Sequence, residues 1–390
     1  MSSTPGSLEV PALPPLDEGV LDRHRSAHEV LCERVGAASP AARAVFSRLS
    51  QRLLVDSLAH LRPCLAHPER PLLLPAPRRF LSPDLEVRRA GAASAFAHLD
   101  SRLAMSAQGL TESVIVPGTA EVLNAFLQQR GAPDRETNPG LVRATPTNWR
   151  PEANPFQHPP ASECRRLLEA AIEMACRAPV AGVARAGWLA FTLMTIHPFV
   201  DGNGRTARAC ALAVASDDLP LRIDWGVLEC WDLDREGYVS ALQAGQEAPT
   251  YSPEAVDPAP FMRFTTESSI RGAHMSLARL ALIELVLASL VDRGLSEIQA
   301  AAVTAVATDR FVGTADLQLM SIVRHSDDAE VIEHDDVTTE VITRLVDAGL
   351  LEWSSSPVGD ERRRGGAVLG PAADDLRRTF ATARFGDEIG

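Results

Sequence analysis

A histidine, an aspartate, two glycines and two arginines fall within twelve consecutive residues, His197-Pro198-Phe199-Val200-Asp201-Gly202-Asn203-Gly204-Arg205-Thr206-Ala207-Arg208. Each residue type has its own chemical use. Gly202 and Gly204 can adopt positive φ and leave backbone N–H groups unshielded. The Gly-Asn-Gly turn opens a helical stretch, so those N–H groups and the positive end of the helix dipole converge on one point, a natural seat for a phosphate. Arg205 and Arg208 lie three apart on one helix face, where two guanidinium forks could hold further phosphate oxygens. Asp201 borders the turn. A carboxylate beside phosphates suits Mg2+, which takes one or two carboxylates together with phosphate oxygens and water. His197 closes the preceding helical stretch. An unperturbed imidazole, with a pKa of about 6.5, is largely neutral at pH 7 and can accept a proton from a hydroxyl. A reaction using it should therefore slow as pH drops from 8 to 5. Phe199 should point into the core and pin the loop. A plain inter-helix turn whose His and Asp only cap helices would leave both glycines and both arginines unexplained.

The segment resembles the signature of the Fic family, H-P-F-x-D/E-G-N-G-R-x-x-R, at every fixed position. The resemblance implies an all-helical core with a short β-hairpin flap, holding ATP and Mg2+ over this loop. It implies a protein adenylyltransferase, which moves AMP from Mg-ATP to a Tyr, Ser or Thr hydroxyl of a target protein and releases pyrophosphate. Carried over by position, His197 would deprotonate the hydroxyl and Asp201 would bind Mg2+. Gly202, Asn203 and Gly204 would form the anion hole, and Arg205 and Arg208 would bind phosphates, Arg208 towards the γ end. Gly204 favours AMP transfer, because phosphotransferring relatives carry Lys there. Gly140-Leu141-Val142-Arg143, followed by His158-Pro159-Pro160, resembles the flap, although Pro146 and Pro151 disfavour a regular hairpin. Tyr238, within Arg235–Leu242, resembles a segment that flanks the adenine; Gly237 stands where relatives often have a first tyrosine.

Many relatives carry an inhibitory helix, S/T-x-x-x-E-G/N. No strict copy is found: Ser82 to Glu86 and Thr250 to Glu254 keep the spacing but not the last residue, and Glu112 lacks the Ser or Thr. Arg208 is then expected to be unblocked, or held by a degenerate segment or an inhibitory partner.

The elements that must position this segment read as helices. Apolar spacing predicts helices over 41–62, 86–103, 119–130, 162–177 (capped by Ser162), 183–196, 205–215, 231–244, 260–272 and 277–291. Residues 131–160 hold seven prolines and read as a loop or irregular hairpin. The stretch 295–372 reads helix, helix, helix, strand, wing and strand, an order that suggests a winged helix. The chain is thus expected to be mainly α: a flexible tail over 1–40, an N-terminal helical region over 41–130, a catalytic core over 131–272 and a winged-helix-like domain over 273–390.

Composition narrows the partners. The net charge is −13 over 390 residues, which disfavours binding to DNA or anionic membranes through the overall field. Residues 271–390 hold 20 Asp and Glu against 12 Arg. The expected recognition helix, Thr338–Ala348, is not basic; only Arg362-Arg363-Arg364 on the wing could touch a phosphate backbone. Protein docking or dimerisation is favoured over DNA binding there. The alternative class is a winged-helix transcription regulator or scaffold using the core as a nucleotide sensor. All 38 basic residues are Arg, so phosphate contacts fall to Arg or backbone N–H. The six Cys form no C-x-x-C, which indicates neither zinc nor a disulfide framework. No apolar run of about 18 residues stands out as a membrane span. Met1 to Asp17 lacks the basic end and apolar stretch of a secretory signal, so the expected location is cytoplasmic.

Overall fold

Residues Gly182–Ile196 carry apolar side chains around the whole helical circumference, which is the pattern of a helix with no solvent face. In the structure, a computed structural model, all fifteen are buried. The structure describes residues 8–59, 83–111, 113–128, 139–146, 156–216, 226–308, 312–313, 321–325, 332–336, 339–354 and 366–383. The architecture is mainly helical. The chain divides into two compact units, Met1–Glu29 with Leu54–Arg62 and Leu81–Ala273, and Val30–Leu53 with Pro63–Phe80 and His274–Gly390.

Ten helices in chain order are α1 (Glu18–Ala37), α2 (Pro40–Leu58), α3 (Pro83–Ala107), α4 (Pro117–Leu127), α5 (Ala161–Arg177), α6 (Gly182–Ile196), α7 (Asn203–Ser216), α8 (Val227–Leu233), α9 (Arg235–Ala244) and α10 (Ala259–Asp292). In the first unit, α6 is the hub. Its main neighbour is α7, whose Ala207, Ala209, Ala211 and Ala213 are buried small residues that permit close approach. On its other side α5 presents Leu167, Leu168, Ala171, Ile172 and Ala175, a stripe at helical spacing. Helix α4 packs on α7 with Leu123 and Leu127 buried.

Several expectations change. Residues 8–40 are not a flexible tail. Residues 8–17 run as a strap whose Leu8, Val10, Leu13 and Leu16 pack on the core. The Trp188 indole donates to the Ala12 carbonyl at 3.1 Å and the Tyr251 hydroxyl to the Glu9 carbonyl at 2.5 Å. Helix α1 follows at once. The α5 N-cap is Pro160 rather than Ser162 and makes no side-chain cap. Asp234, with φ −108 and ψ 67, splits the helix expected over 231–244 and caps α9 by accepting from Gly237 N at 2.8 Å.

The two helices expected over 260–272 and 277–291 form one, α10. Gly272 does not break it. A Cβ on Gly226, the α8 N-cap, would lie 2.5 Å from the Gly272 Cα, so these glycines permit a close backbone approach. By length and composition α10 is also apolar enough to cross a bilayer, contrary to the expectation from sequence. It nonetheless buries Thr265, Thr266, Ser269, Ser276 and Arg279, and half of its most apolar stretch is packed inside the fold, as in a core helix.

The second unit continues with α11 (Glu297–Thr308), β1 (Val312–Gly313), β2 (Ser321–His325), β3 (Ile332–Asp336), α12 (Thr339–Asp347), β4 (Leu351–Ser354), β5 (Gly366–Leu369) and α13 (Asp374–Thr382). An antiparallel sheet has the order β1-β5-β4, with Val312 opposite Ala367 and Leu351 opposite Leu369. Its core takes Ala301, Val303, Ile342, Leu345, Leu351, Leu369 and Leu376. A separate β2–β3 ribbon was not foreseen; polar residues at both strands obscure its period. Arg362, Arg363 and Arg364 lie outside the described residues.

Candidate active site

Helix α6 ends at His197, whose φ of 52 and ψ of 60 place it in the left-handed region. It is the one non-glycine with positive φ among the described residues. Such a conformation costs about 1–3 kcal/mol and persists where the surroundings over-determine it. Here Arg143 does so. Its Nε donates to the His197 carbonyl at 2.7 Å, one terminal nitrogen donates to the Pro159 carbonyl at 2.6 Å, and the other donates to the Thr145 carbonyl at 3.2 Å. Its backbone N–H donates to the Pro198 carbonyl at 2.8 Å. A buried guanidinium thus closes the carbonyl end of α6, where a cation also complements the helix dipole. Next to it Val142 and Phe199 form an antiparallel bridge. The flap-like segment therefore pairs with the motif turn itself; among the described residues it forms no hairpin, and 147–155 lie outside them.

The His197 imidazole stacks on that of His158, with centroids 4.5 Å apart and planes 29° apart. Burial first, then the His158 ring and last Arg143 lower the His197 pKa to about 3, against an upward pull from the Met194 carbonyl that exceeds the effect of Arg143. This corrects the expectation from an unperturbed imidazole. With a pKa near 3, His197 stays neutral between pH 8 and 5, so its titration does not slow a reaction over that range.

The turn after Phe199 is held by amide side chains. Asn203 accepts from the Phe199 N–H at 2.9 Å and donates to the Phe199 carbonyl at 2.8 Å. Its side chain is therefore a clamp on the loop and not a ligand donor. Asn124 on α4 donates to the Asp201 carbonyl and to Thr206 Oγ1, both at 3.0 Å, and accepts from Gln128 and from the Gly140 N–H, both at 2.9 Å. Gln128 also donates to the Asp201 carbonyl. Gly202 has φ 79, and a Cβ there would sit 2.9 Å from Gln128 Cγ, so the position demands glycine twice over.

Of the three expected anion-hole residues, Gly202 already donates its N–H to Asp201 Oδ1 at 2.7 Å. The N–H groups of Asn203 and Gly204, in the first turn of α7, meet no acceptor among the described residues. Those two N–H groups are the ones of the three that could meet an anion. Asp201 is 35% exposed, and its Oδ2 lies 3.9 Å from Arg205. Among the described residues no three His, Cys, Asp or Glu side chains converge on a metal position. A lone, partly exposed carboxylate fits Mg2+ completed by phosphate oxygens and water, and does not fit an all-protein cage.

The arginines depart furthest from expectation. Arg205 is buried and donates to the Leu127 carbonyl. Arg208 has 0% side-chain exposure and donates to Asp232 Oδ1 at 2.7 Å, with Asp232 itself 3% exposed. Its guanidinium lies 5.8 Å from the Trp231 ring centre and 5.4 Å from that of Tyr238. In this arrangement Arg208 is a core residue, and Asp232 competes with any phosphate for its guanidinium. The carboxylate on Arg208 comes from α8, not from the segments weighed as inhibitory. Glu254 is exposed and bonds Ser252, and Glu112 lies outside the described residues. Tyr238 is corrected too. It is 4% exposed, packs on Trp231 and Phe261, and donates its hydroxyl to Met194 Sδ at 2.7 Å, so it offers no face to an adenine.

The turn, its two amide supports on α4, the Arg143 anchor and His158 all lie within one stretch of sequence. Residues 122–215 match the model of the Fic/DOC family. Proteins of the Fic family generally transfer nucleotide or other phosphate-containing groups to proteins. Asp232 and Tyr238 fall beyond the Fic/DOC match. No curated protein matches the chain. Among solved structures the chain is similar to a Fic family protein from Desulfovibrio desulfuricans G20, at 15% identity over 92% of this chain and 98% of that one, with a TM-score of 0.48. It is also similar to Fic-1 from C. elegans, at 16% identity over 68% and 74% of the two chains, TM-score 0.48. A third is a Fic domain containing signaling protein from Bacteroides thetaiotaomicron, at 14% identity over 68% and 96%, TM-score 0.42.

Asn124, Gln128 and Asp232 are not singled out by the sequence, and Arg143 stands out there only as part of the flap-like segment. Asn124 and Gln128 did leave a signal: two amides four apart on the face of α4 that also carries Ala120, Leu123 and Leu127. A polar pair on a buried stripe has to bond something.

Proposed function

We propose that this protein transfers AMP from Mg-ATP to a Tyr, Ser or Thr hydroxyl of a target protein. The observation that supports it most is one short turn holding a neutral imidazole, a partly exposed carboxylate and two N–H groups at a helix head that meet no acceptor among the described residues. In this reading the target oxygen attacks the α-phosphorus as its proton passes to the His197 imidazole. The new O–P bond forms, the bond from the α-phosphorus to the bridging oxygen breaks, and pyrophosphate leaves with that electron pair. The Asn203 and Gly204 N–H groups hold phosphate oxygens against the α7 dipole. Asp201 would hold Mg2+, which when bound would supply neutralisation of phosphate charge. Arg205 lies beside Asp201 and steadies its carboxylate, while Arg208 serves the γ end in competition with Asp232.

Incubation with ATP labelled at the α or the γ position tests this. Label from the α position should attach to protein and be lost in His197→Ala. Attachment from the γ position alone rejects AMP transfer in favour of phosphoryl transfer.

We read the second unit as a winged-helix module for protein docking or dimerisation, in a cytoplasmic protein. Its supports are the order α11, β1, α12, β4, β5 with β5 central in the sheet, and its acidic balance.

A further inference from the structure

We propose that Trp188, Tyr251 and Arg166 form a receptor groove for a proline-rich segment of a partner protein in polyproline II conformation, a groove that residues 8–16 of this chain occupy as a tethered stand-in. The inference goes beyond the AMP-transfer reading and does not rest on it.

Residues 8–16 read Leu-Glu-Val-Pro-Ala-Leu-Pro-Pro-Leu. Glu9, Ala12 and Pro15 are exposed, whereas Leu8, Val10, Pro11, Leu13, Pro14 and Leu16 are buried or half-buried. Exposure at every third residue is the period of polyproline II, against two for a strand and about 3.6 for a helix. The residue types enforce it. Pro11, Pro14 and Pro15 fix their own φ at about −65°, and Val10, Leu13 and Pro14 each precede a proline, which keeps them extended. Among the described residues no backbone–backbone hydrogen bond involves 8–16. Their carbonyls meet side chains instead. Leu8 accepts from Arg166 on α5, Glu9 from the Tyr251 hydroxyl at 2.5 Å, and Pro11 and Ala12 from the Trp188 indole at 3.3 and 3.1 Å. Aromatic-lined grooves take proline-rich segments by this kind of contact, on a helix whose backbone has no internal hydrogen bonds. Carbonyls and proline rings recur in any proline-rich chain, so these contacts select a class of ligand and not one sequence.

The groove is also larger than its occupant. An open hollow of about 390 Å3 lies between Val10 and the α5 residues Ala170, Glu173, Met174, Arg177 and Ala178. The valine side chain does not fill it. A longer apolar side chain at that place would gain contacts with Met174 and the two alanines. Residues 8–16 thus hold the groove by being tethered at high effective concentration, and a partner segment with a bulkier residue at the Val10 place can displace them.

The test uses the full chain with Val10→Asp and Leu13→Asp together, which loosens residues 8–16 and leaves every groove donor in place. Val10→Ala with Leu13→Ala is the milder substitute should circular dichroism show that the first variant misfolds. The probe is a fluorescein-labelled peptide of residues 8–18, read by fluorescence anisotropy. It should bind the loosened chain at least about tenfold more tightly than the wild type, where the tethered segment competes. A peptide carrying Val10→Phe should bind about threefold to tenfold more tightly than the native peptide. A peptide carrying Pro11→Gly and Pro14→Gly should bind about tenfold more weakly, because it is no longer pre-organised. Tyr251→Phe in the loosened chain removes one donor and should weaken binding about threefold to tenfold. The proposal is overturned if the folded, loosened chain takes up no native peptide at about 1 mM, or if Tyr251→Phe and the glycine changes leave binding unaltered. A Val10→Phe peptide that binds no better also overturns it, since residues 8–16 are then the intended occupant. So does light scattering that shows a wild-type dimer dissociated by the loosening, since the occupant is then a second copy.

Discussion

Removing Asp232 tests the interior of the site most directly. Arg208 and Asp232 are 0% and 3% exposed and 2.7 Å apart. At an effective dielectric of about 20, a pair this close attracts by roughly 6 kcal/mol. Desolvation of both ions offsets most of that, so the pair as a whole adds little to stability. Breaking it is different, because the guanidinium stays buried without its counterion, at about 3–5 kcal/mol. The Trp231 and Tyr238 rings remain against Arg208 and return about 1–2 kcal/mol. Asp232→Ala should therefore destabilise by about 3 kcal/mol. Asp232→Asn should cost less, since an amide oxygen can still accept from Arg208.

The assay is urea denaturation followed by tryptophan fluorescence, with Trp231 beside the perturbation. Against a total stability of about 5–15 kcal/mol, a loss of 3 is large. The paired change Arg208→Met with Asp232→Leu should cost much less than the sum of the single changes. The reasoning is refuted if Asp232→Ala costs under about 1 kcal/mol, or if the single costs simply add. The same variants bear on nucleotide binding. On the AMP-transfer reading Asp232 competes with phosphate for the guanidinium, so Asp232→Asn should tighten Mg-ATP binding. Weaker binding would mean that Asp232 supports the nucleotide site.

Three further outcomes are expected. Mg-ATP should raise the pKa of His197, because nearby negative charge favours the imidazolium; an NMR titration that ignores the nucleotide would place the phosphate seat elsewhere. Gly202→Ala should destabilise by about 1–3 kcal/mol and lower the melting temperature, since alanine would be strained at φ 79 and its Cβ would meet Gln128. Acid should weaken the fold through His24, which burial, His28 and Arg25 hold at a pKa of about 3 beside the shared Ser269 hydroxyl. The unfolded chain takes up this proton near pH 6.5 and the folded chain does not, so the stabilising contribution is complete above about 6.5 and is lost as pH falls towards 3. Melting temperatures of His24→Gln should fall less steeply over that window.

The sequence carried the local elements around the turn. The apolar spacing of α5 and α6, the glycine at position 202 and the arginine pair can all be read without coordinates. What it did not carry is which polar groups face one another. Arg208 reads as a phosphate clamp because a guanidinium three residues after Arg205 shares its face. Spacing says nothing of a carboxylate 24 residues later that reaches the same guanidinium. Arg143 sits in a proline-rich stretch without period, so its carbonyl partners had no signature. The single helix α10 was cut in two because Gly272 reads as a breaker, whereas its use is to let α8 approach.

These misreadings share a direction. The sequence suggests a turn open to a polyanion, flanked by free cations and an ordinary imidazole. The structure instead buries Arg208 with a carboxylate and holds His197 at a pKa near 3. A base that weak accepts a hydroxyl proton poorly at neutral pH. On the AMP-transfer reading, both features answer to the same perturbation. A triphosphate seated on the Asn203 and Gly204 N–H groups raises the His197 pKa towards the working range and competes with Asp232 for Arg208. Nucleotide would then strengthen the base that acts on it, and the rate would depend on the free energy needed to separate Arg208 from Asp232. That cost can be measured independently by the Asp232 and Arg208 cycle, and it sets an upper limit on how much Asp232→Asn can tighten ATP binding.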